Sequence, residues 1–170
     1  MSDEPIRIVP YDPGWPARFE HEAALLREAI GPWIVGGVHH VGSTAVPGLD
    51  AKPVIDIMVG VRDLDGSRGC FEPLARHQYV HAPYRAAEMH WFCKPRPSSR
   101  THHLHLVPVD SAPYRDRLAF RDLLRGDPRA AADYVALKHR LAARFPQDRD
   151  AYTEAKSAFI RAALAQSRSR

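Results

Sequence analysis

Cysteine is nearly absent from this sequence, with only Cys70 and Cys93 in 170 residues. Two thiols exclude a disulfide scaffold and fit a cytoplasmic protein. No apolar run is long enough to span a bilayer, and no secretory leader or lipidation motif is read, so no membrane partner is expected. Internal repeats are missing. Low complexity is confined to a short polar tail at residues 166–170, which is expected to fray. Lysine is scarce beside arginine, and the net charge is only +4. So small a surplus suits phosphate-bearing partners and gives no basis for a nucleic-acid partner.

What remains is the composition of an ordinary globular protein, 45% hydrophobic and 26% charged. The length fits one domain over residues 1–170 with a sizeable core. Residues 54–61 read as a buried strand, because β-branched residues follow the Gly/Pro-rich run Pro47-Gly48 to Pro53. Side chains alternate faces along a strand, so Ile55, Ile57, Val59 and Val61 share one face. Asp56 and Met58 take the other. A lone carboxylate on such a strand needs a partner or a role, since burying it unpaired is costly.

Around that strand, residues 6–9 alternate as a short edge strand. Residues 17–30 form a helix opened by Pro16, with Phe19, Ala23, Leu26 and Ile30 along one side and Gly31-Pro32 as its stop. Residues 34–41 give a second strand, weakened by Gly36-Gly37, that leads into Gly42-Ser43. Residues 64–76 read as a helix, and residues 78–81 and 88–94 as strands. Residues 95–99 read as a loop. Residues 101–109 are a strand whose Pro108 suits an edge or a bulge. Three helices follow, ending near Gly126, near Phe145 and near Ala163, the last capped by Asp148 or Asp150. The plan is α/β (α+β), with a helical C-terminal third packed on the sheet.

Three sets of residues point to chemistry. Gly42, Ser43 and Thr44 form a turn able to aim backbone N–H groups and hydroxyls at a phosphate, with Asp56 placed to hold a divalent cation. The same residues also fit a plain turn with Ser43 as a cap and Asp56 paired to an arginine. On the later strand Leu104 and Leu106 face the core, and His103 and His105 face away. Two imidazoles two residues apart suit a metal or an anion, or simply a solvated face. If the strands are neighbours, Asp56, His103 and His105 form a carboxylate and two imidazoles on one sheet face, a set that suits a transition metal. A basic and aromatic set completes the list: Lys52, Tyr84, Arg85, Trp91, Arg100, Arg117, Arg121 and Lys156. Most of it reads as surface charge and core. Lys52, Arg85 and Arg100 lie nearest the proposed site in sequence. His39 and His40 are expected only to flank it.

The run from Val41-Gly42-Ser43-Thr44 through Pro47-Gly48-Leu49 to Lys52-Pro53-Val54-Ile55-Asp56-Ile57 resembles the GrpB family. So do Arg100-Thr101-His102-His103-Leu104-His105, Leu118-Ala119-Phe120-Arg121-Asp122 and Glu154-Ala155-Lys156-Ser157. The resemblance covers nearly the whole chain. It implies the nucleotidyltransferase superfamily and its polymerase-β-like fold, a mixed sheet with helices on one face. Some members of the family are fused to dephospho-CoA kinase. The superfamily pattern is a strand ending in Gly-Ser, a spacer, then Asp-hydrophobic-Asp/Glu. Gly42, Ser43 and Asp56 match it, whereas Met58 stands where the second acid belongs. The third acid comes from a later strand, which here offers His103 and His105.

Three readings follow. In the first, the protein is nucleotidyltransferase-like and metal-dependent, acting on a nucleotide or another small anionic substrate. Gly42, Ser43, Thr44 and Lys52 then hold phosphates, Asp56, His103 and His105 carry the catalysis and the metal (magnesium or a transition metal), and Tyr84, Arg85, Trp91 and Arg100 bind substrate. In the second, Asp56, His103 and His105 hold a transition metal for a different reaction class. In the third, the chain is a non-catalytic nucleotide- or coenzyme-binding module.

Overall fold

Apolar alternation on two strands distant in sequence drives the architecture. The computed structural model describes residues 4–169. Its sheet has the order β1 (Val38–Val41), β2 (Ile55–Val61), β5 (Ser99–Pro108), β4 (His90–Arg96), β3 (Val80–Ala82). Strands β2 and β5 run parallel at the centre, and every other pair is antiparallel. The parallel register sets Asp56 beside His103 and Met58 beside His105. Ile55, Ile57, Val59, Leu104 and Leu106 therefore share one face, buried under helix α1 (Trp15–Ile30) through Phe19, Ala23, Leu26 and Ile30. Helix α2 (Phe71–Arg76) adds Leu74 to the same layer.

The opposite face carries Val41, Met58 and Val107, packed against Tyr114 and Leu118 of helix α3 (Ala112–Gly126). Helices α4 (Pro128–Arg144) and α5 (Arg149–Arg168) complete the helical third. Asp127 and Asp148 cap them, each accepting first-turn amides on its side chain. Tyr134, Phe159 and Ile160 pack on Val46 and Leu49, which anchors these helices to the loop before β2. The result is α+β, with α1 and α2 on one sheet face and a cleft between the other face and the helical third.

Several expected elements differ. Residues 6–9 are not an edge strand: Val9 makes one isolated bridge to Ala51, and the Ile6 amide donates to Pro146 O at 2.9 Å. The segment straps the loop before β2 to the helical third. The second strand begins only at Val38, because the amides of Val35 and Gly36 both donate to Gly60 O, two residues against one. Residues 64–76 split into a 3-10 stretch (Gly66–Cys70) and α2. The supposed loop at 95–99 is a tight hairpin, with Arg96 paired to Ser99. Pro108 ends a central strand, and Val109 N resumes the ladder by donating to Val61 O at 3.0 Å. The polar tail stays helical through Arg168, and Arg170 lies outside the described residues.

At Gly60 a Cβ would lie 2.7 Å from Gly36 Cα and 2.8 Å from Val109 Cγ1. Gly60→Ala is expected to lower stability by about 1–3 kcal/mol through overpacking against backbone. Gly126→Ala, which meets nothing within 4 Å, is expected to stay within about 0.5 kcal/mol of wild type. Urea midpoints of the two variants check this, and equal midpoints would contradict it.

Candidate functional site

Gly42 ends β1 with φ +71° and opens a 3-10 turn, Ser43–Ala45. Only glycine suits this position, for two reasons. The backbone lies in the left-handed region, and a Cβ there would sit 2.6 Å from Asp56 Oδ2. The turn thus wraps directly over the Asp56 carboxylate. Asp56 in turn meets the histidines of β5: His103 Nδ1 lies 3.0 Å from its Oδ1, and His105 Nε2 lies 3.7 Å from the same oxygen. The first distance is a hydrogen bond and the second is too long to be one. Burial would raise the Asp56 carboxyl, but the two imidazoles outweigh it and hold the group well below the usual carboxylate range. Burial lowers His103, and it lowers His105 to about 4, so both rings are neutral at pH 7. His103 then donates Nδ1–H to Asp56 and keeps its lone pair on Nε2. The Nε2 atoms of both rings are buried without a hydrogen-bond partner.

These three residues lie on the sheet wall of a cleft of about 700 Å³. Every residue singled out from the sequence lines it: Gly42, Ser43, Thr44, Lys52, Asp56, Tyr84, Arg85, Trp91, Arg100, His103 and His105. Thr44 sits there with its hydroxyl already engaged, 2.9 Å from His40 Nε2. His40 itself turns to the α1 face and stacks on Phe19. His39 bonds Gly36 O and Tyr114 and does not line the cleft. Asp56 is paired to imidazole rather than to an arginine, and Ser43 makes no cap bond.

The helical wall supplies the residues that sequence reasoning missed or passed over. Lys138 and Lys156 join Lys52 in the cleft. Lys138 Nζ lies 5.0 Å from the Tyr134 ring centre and donates to Asp50 O. Lys156 and Lys52 both stand over the Tyr152 ring, at 4.4 and 5.1 Å. Among the described residues, none of the three has a carboxylate within ion-pair distance. Burial and like charge pull Lys156 down to about 7. Burial does the same to Lys138, also to about 7. The Tyr152 hydroxyl is buried and without a partner. Burial raises the Tyr134 hydroxyl, opposed by a hydrogen bond with Ser43. A signal for these residues was present: Tyr134/Lys138 and Tyr152/Lys156 are both i,i+4 pairs, which stack on one helix face.

Among the described residues, nine basic and four acidic side chains line the cleft, so its net charge is positive and its field favours anions. A metal centre fits less well. Two-ion catalysis needs carboxylates to clamp both ions, and Met58 is buried where the second would stand. Among the described residues, no three His, Cys, Asp or Glu side chains converge on a common point for an ion. The donor types suit a metal, but their present geometry is a hydrogen-bonded cluster.

Comparison with known proteins places this geometry. The family model described as GrpB protein matches residues 5–166. A UPF0157 protein of Pseudomonas aeruginosa is 41% identical over 166 residues, covering 94% of this chain and 66% of its own length. Glutamate-rich protein GrpB of Alkalihalophilus pseudofirmus is 32% identical, covering 90% of both chains. A dephospho-CoA kinase of Mycolicibacterium paratuberculosis is 33% identical over 95% of this chain, which spans 46% of that protein. The chain thus spans only part of the length of several relatives. Among solved structures, GrpB from Enterococcus faecalis superposes with a TM-score of 0.83 at 33% identity, covering 94% of this chain and 96% of that one. The GLD-2/RNP-8 complex follows at 0.57 and 16% identity, over 89% of this chain and 60% of that one. A cytoplasmic RNA terminal U-transferase follows at 0.52 and 15%, over 82% and 41%. At such identities only the fold is shared, and it is the nucleotidyltransferase fold. The family match runs through sheet wall and helical wall alike, and on that extent the chain belongs to the GrpB family.

Proposed function

We propose that the cleft binds a small nucleotide through its phosphates and transfers a nucleotidyl group from it to a second small molecule. The observation that carries this reading is the cluster of Lys52, Lys138 and Lys156, un-neutralised and beside the Gly42-Ser43 turn. Three cations crowded together at a cost to their own protonation call for a polyanion. The shared fold with an RNA terminal U-transferase supports the reaction class by analogy.

In this reading Ser43 and the lysines hold the phosphate chain. An acceptor hydroxyl or amine attacks the α-phosphorus, the bond to pyrophosphate breaks, and pyrophosphate leaves. The acceptor proton passes to His103 Nε2, which Asp56 orients through Nδ1 at 3.0 Å. Asp56 is a single acid, so a divalent cation enters this reading only as a companion of the ligand's phosphates. Arg100 stacks over Trp91 at 5.1 Å and supplies a flat surface for a base or ring. A transition-metal centre is the second reading, favoured by the partnerless Nε2 atoms of His103 and His105.

Elemental analysis of untagged wild type, Asp56→Ala and His105→Ala separates the two. Near-stoichiometric zinc, iron, nickel or manganese, lost in both variants, would replace the nucleotide reading. The expected result is no such metal, with binding of α,β-methylene-ATP by calorimetry. Lys156→Met is expected to weaken that binding about tenfold, or about 1.4 kcal/mol. Ligand binding without turnover in any screen, unaffected by Asp56→Ala, would leave a binding module instead.

The lysines also set a pH dependence. Both sit near 7 when folded against about 10.4 unfolded. Anion binding needs them protonated, so affinity for α,β-methylene-ATP is expected to fall from pH 6 to pH 8.5. Stability of the free protein runs the other way. Between pH 7 and about 10 the unfolded chain binds more protons, so stability rises with pH. The Lys138→Met/Lys156→Met double variant is expected to flatten both slopes. Calorimetry and urea titrations at several pH values check this, and unchanged slopes would refute it.

A further inference from the structure

The cationic lining has two ends, which feel each other's charge: Arg117 is among the like charges that lower Lys156. The lysines and the Gly42-Ser43 turn lie where β2 and β5 begin, on the Asp56 side. Farther along the same strands, past His105, a different environment opens. His105 Nδ1 lies 3.4 Å from Met89 Sδ, and Arg117 Nη2 lies 3.7 Å from the same sulfur. Among the described residues, no carboxylate stands within ion-pair distance of Arg117. The neighbouring guanidinium already faces two carboxylates. Arg85 meets Glu88 at 3.8 Å and Glu154 at 4.0 Å.

We propose that the cleft is bipartite, and that Arg117 anchors the carboxylate of a small acceptor molecule on the far side of His105 from the lysines. This rests on the nucleotide reading of the lysine end. Three observations carry it. First, a guanidinium recessed in the cleft, with the Met89 thioether beside it and, among the described residues, no carboxylate within ion-pair distance, lacks the partner that a planar, five-donor group ordinarily has. Second, one fork neutralises one charge. A carboxylate matches it in a bidentate pair, whereas a dianionic phosphate needs a second cation, and Arg85 is engaged elsewhere. Third, the Arg85–Glu154 contact runs from the turn between β3 and β4 to helix α5, across this end of the cleft. With a volume of about 700 Å³, the cleft suits small molecules rather than the path of a polymer. An acceptor held at Arg117 reaches toward Asp56 and His103 from one side, and a nucleotide at the lysines reaches them from the other.

Calorimetry on the full chain tests this with four probes: α,β-methylene-ATP, glutarate, inorganic phosphate and a hexauridylate with a free 3′-hydroxyl. Glutarate is expected to bind wild type in the presence of saturating α,β-methylene-ATP. Arg117→Gln is expected to weaken glutarate about 10- to 100-fold while changing the nucleotide analogue less than about twofold. Retained analogue binding then certifies that the variant is folded. Arg117→Lys is expected to fall between wild type and Arg117→Gln. Glutarate that does not bind, or competes with the analogue, or binds Arg117→Gln as well as wild type, would overturn the proposal. Phosphate or hexauridylate binding that depends on Arg117 more strongly than glutarate would overturn the carboxylate assignment. If the analogue fails to bind wild type while glutarate still depends on Arg117, the nucleotide reading falls and the carboxylate site stands.

Discussion

A carboxylate on an otherwise apolar strand can persist only if its surroundings are built for it, and much of the cleft follows from how Asp56 is housed. The chain closes over it with Gly42, because any side chain there would overlap its Oδ2. The parallel pairing of β2 with β5 sets His103 alongside it. The hydrogen bond between them keeps the acid ionised and fixes which nitrogen of the ring carries the proton. Strand register, a positive-φ turn and a tautomer are thus consequences of one buried charge.

The two faces of the sheet treat charge in opposite ways. Under α1, Glu22 is buried but fully partnered: Tyr79 donates at 2.8 Å and Lys94 at 2.7 Å, with His102 nearby. Burial alone would raise its pKa, yet these partners lower it. That is a closed account, suited to a core. Across the sheet, the other three of the chain's four lysines lie beside aromatic rings and, among the described residues, have no carboxylate within ion-pair distance. In the nucleotide reading, the ligand's phosphates supply the match that this face lacks.

Much of this was legible in the sequence. Alternation on residues 54–61 and 101–106 assigned both central strands and their two faces correctly, because a period of two is unambiguous when one face is buried. The Gly42-Ser43 turn and Asp56 were found by chemistry that local sequence expresses. Local sequence does not express which turn faces which helix. Lys138 was therefore not singled out, and Arg117 read as surface charge. Residues 6–9 misled for a similar reason. Their alternation is real, but Ile6 buries against Leu141 and Tyr152 rather than against a neighbouring strand. Periodicity reports that a residue is buried and is silent on what buries it.

The cleft draws its walls from opposite ends of the sequence, with Ser43 and Asp56 on one side and Lys138 and Lys156 on the other. During synthesis the sheet wall emerges first and the last helix much later. Until α4 and α5 dock, the Asp56–His103 pair stands on an open sheet face with Lys52 nearby and solvent in place of Lys138 and Lys156. In the nucleotide reading, the full set of lysines is therefore complete only when the last helix has docked. A nascent or partly unravelled chain that had formed its entire sheet would still lack two of the three lysines.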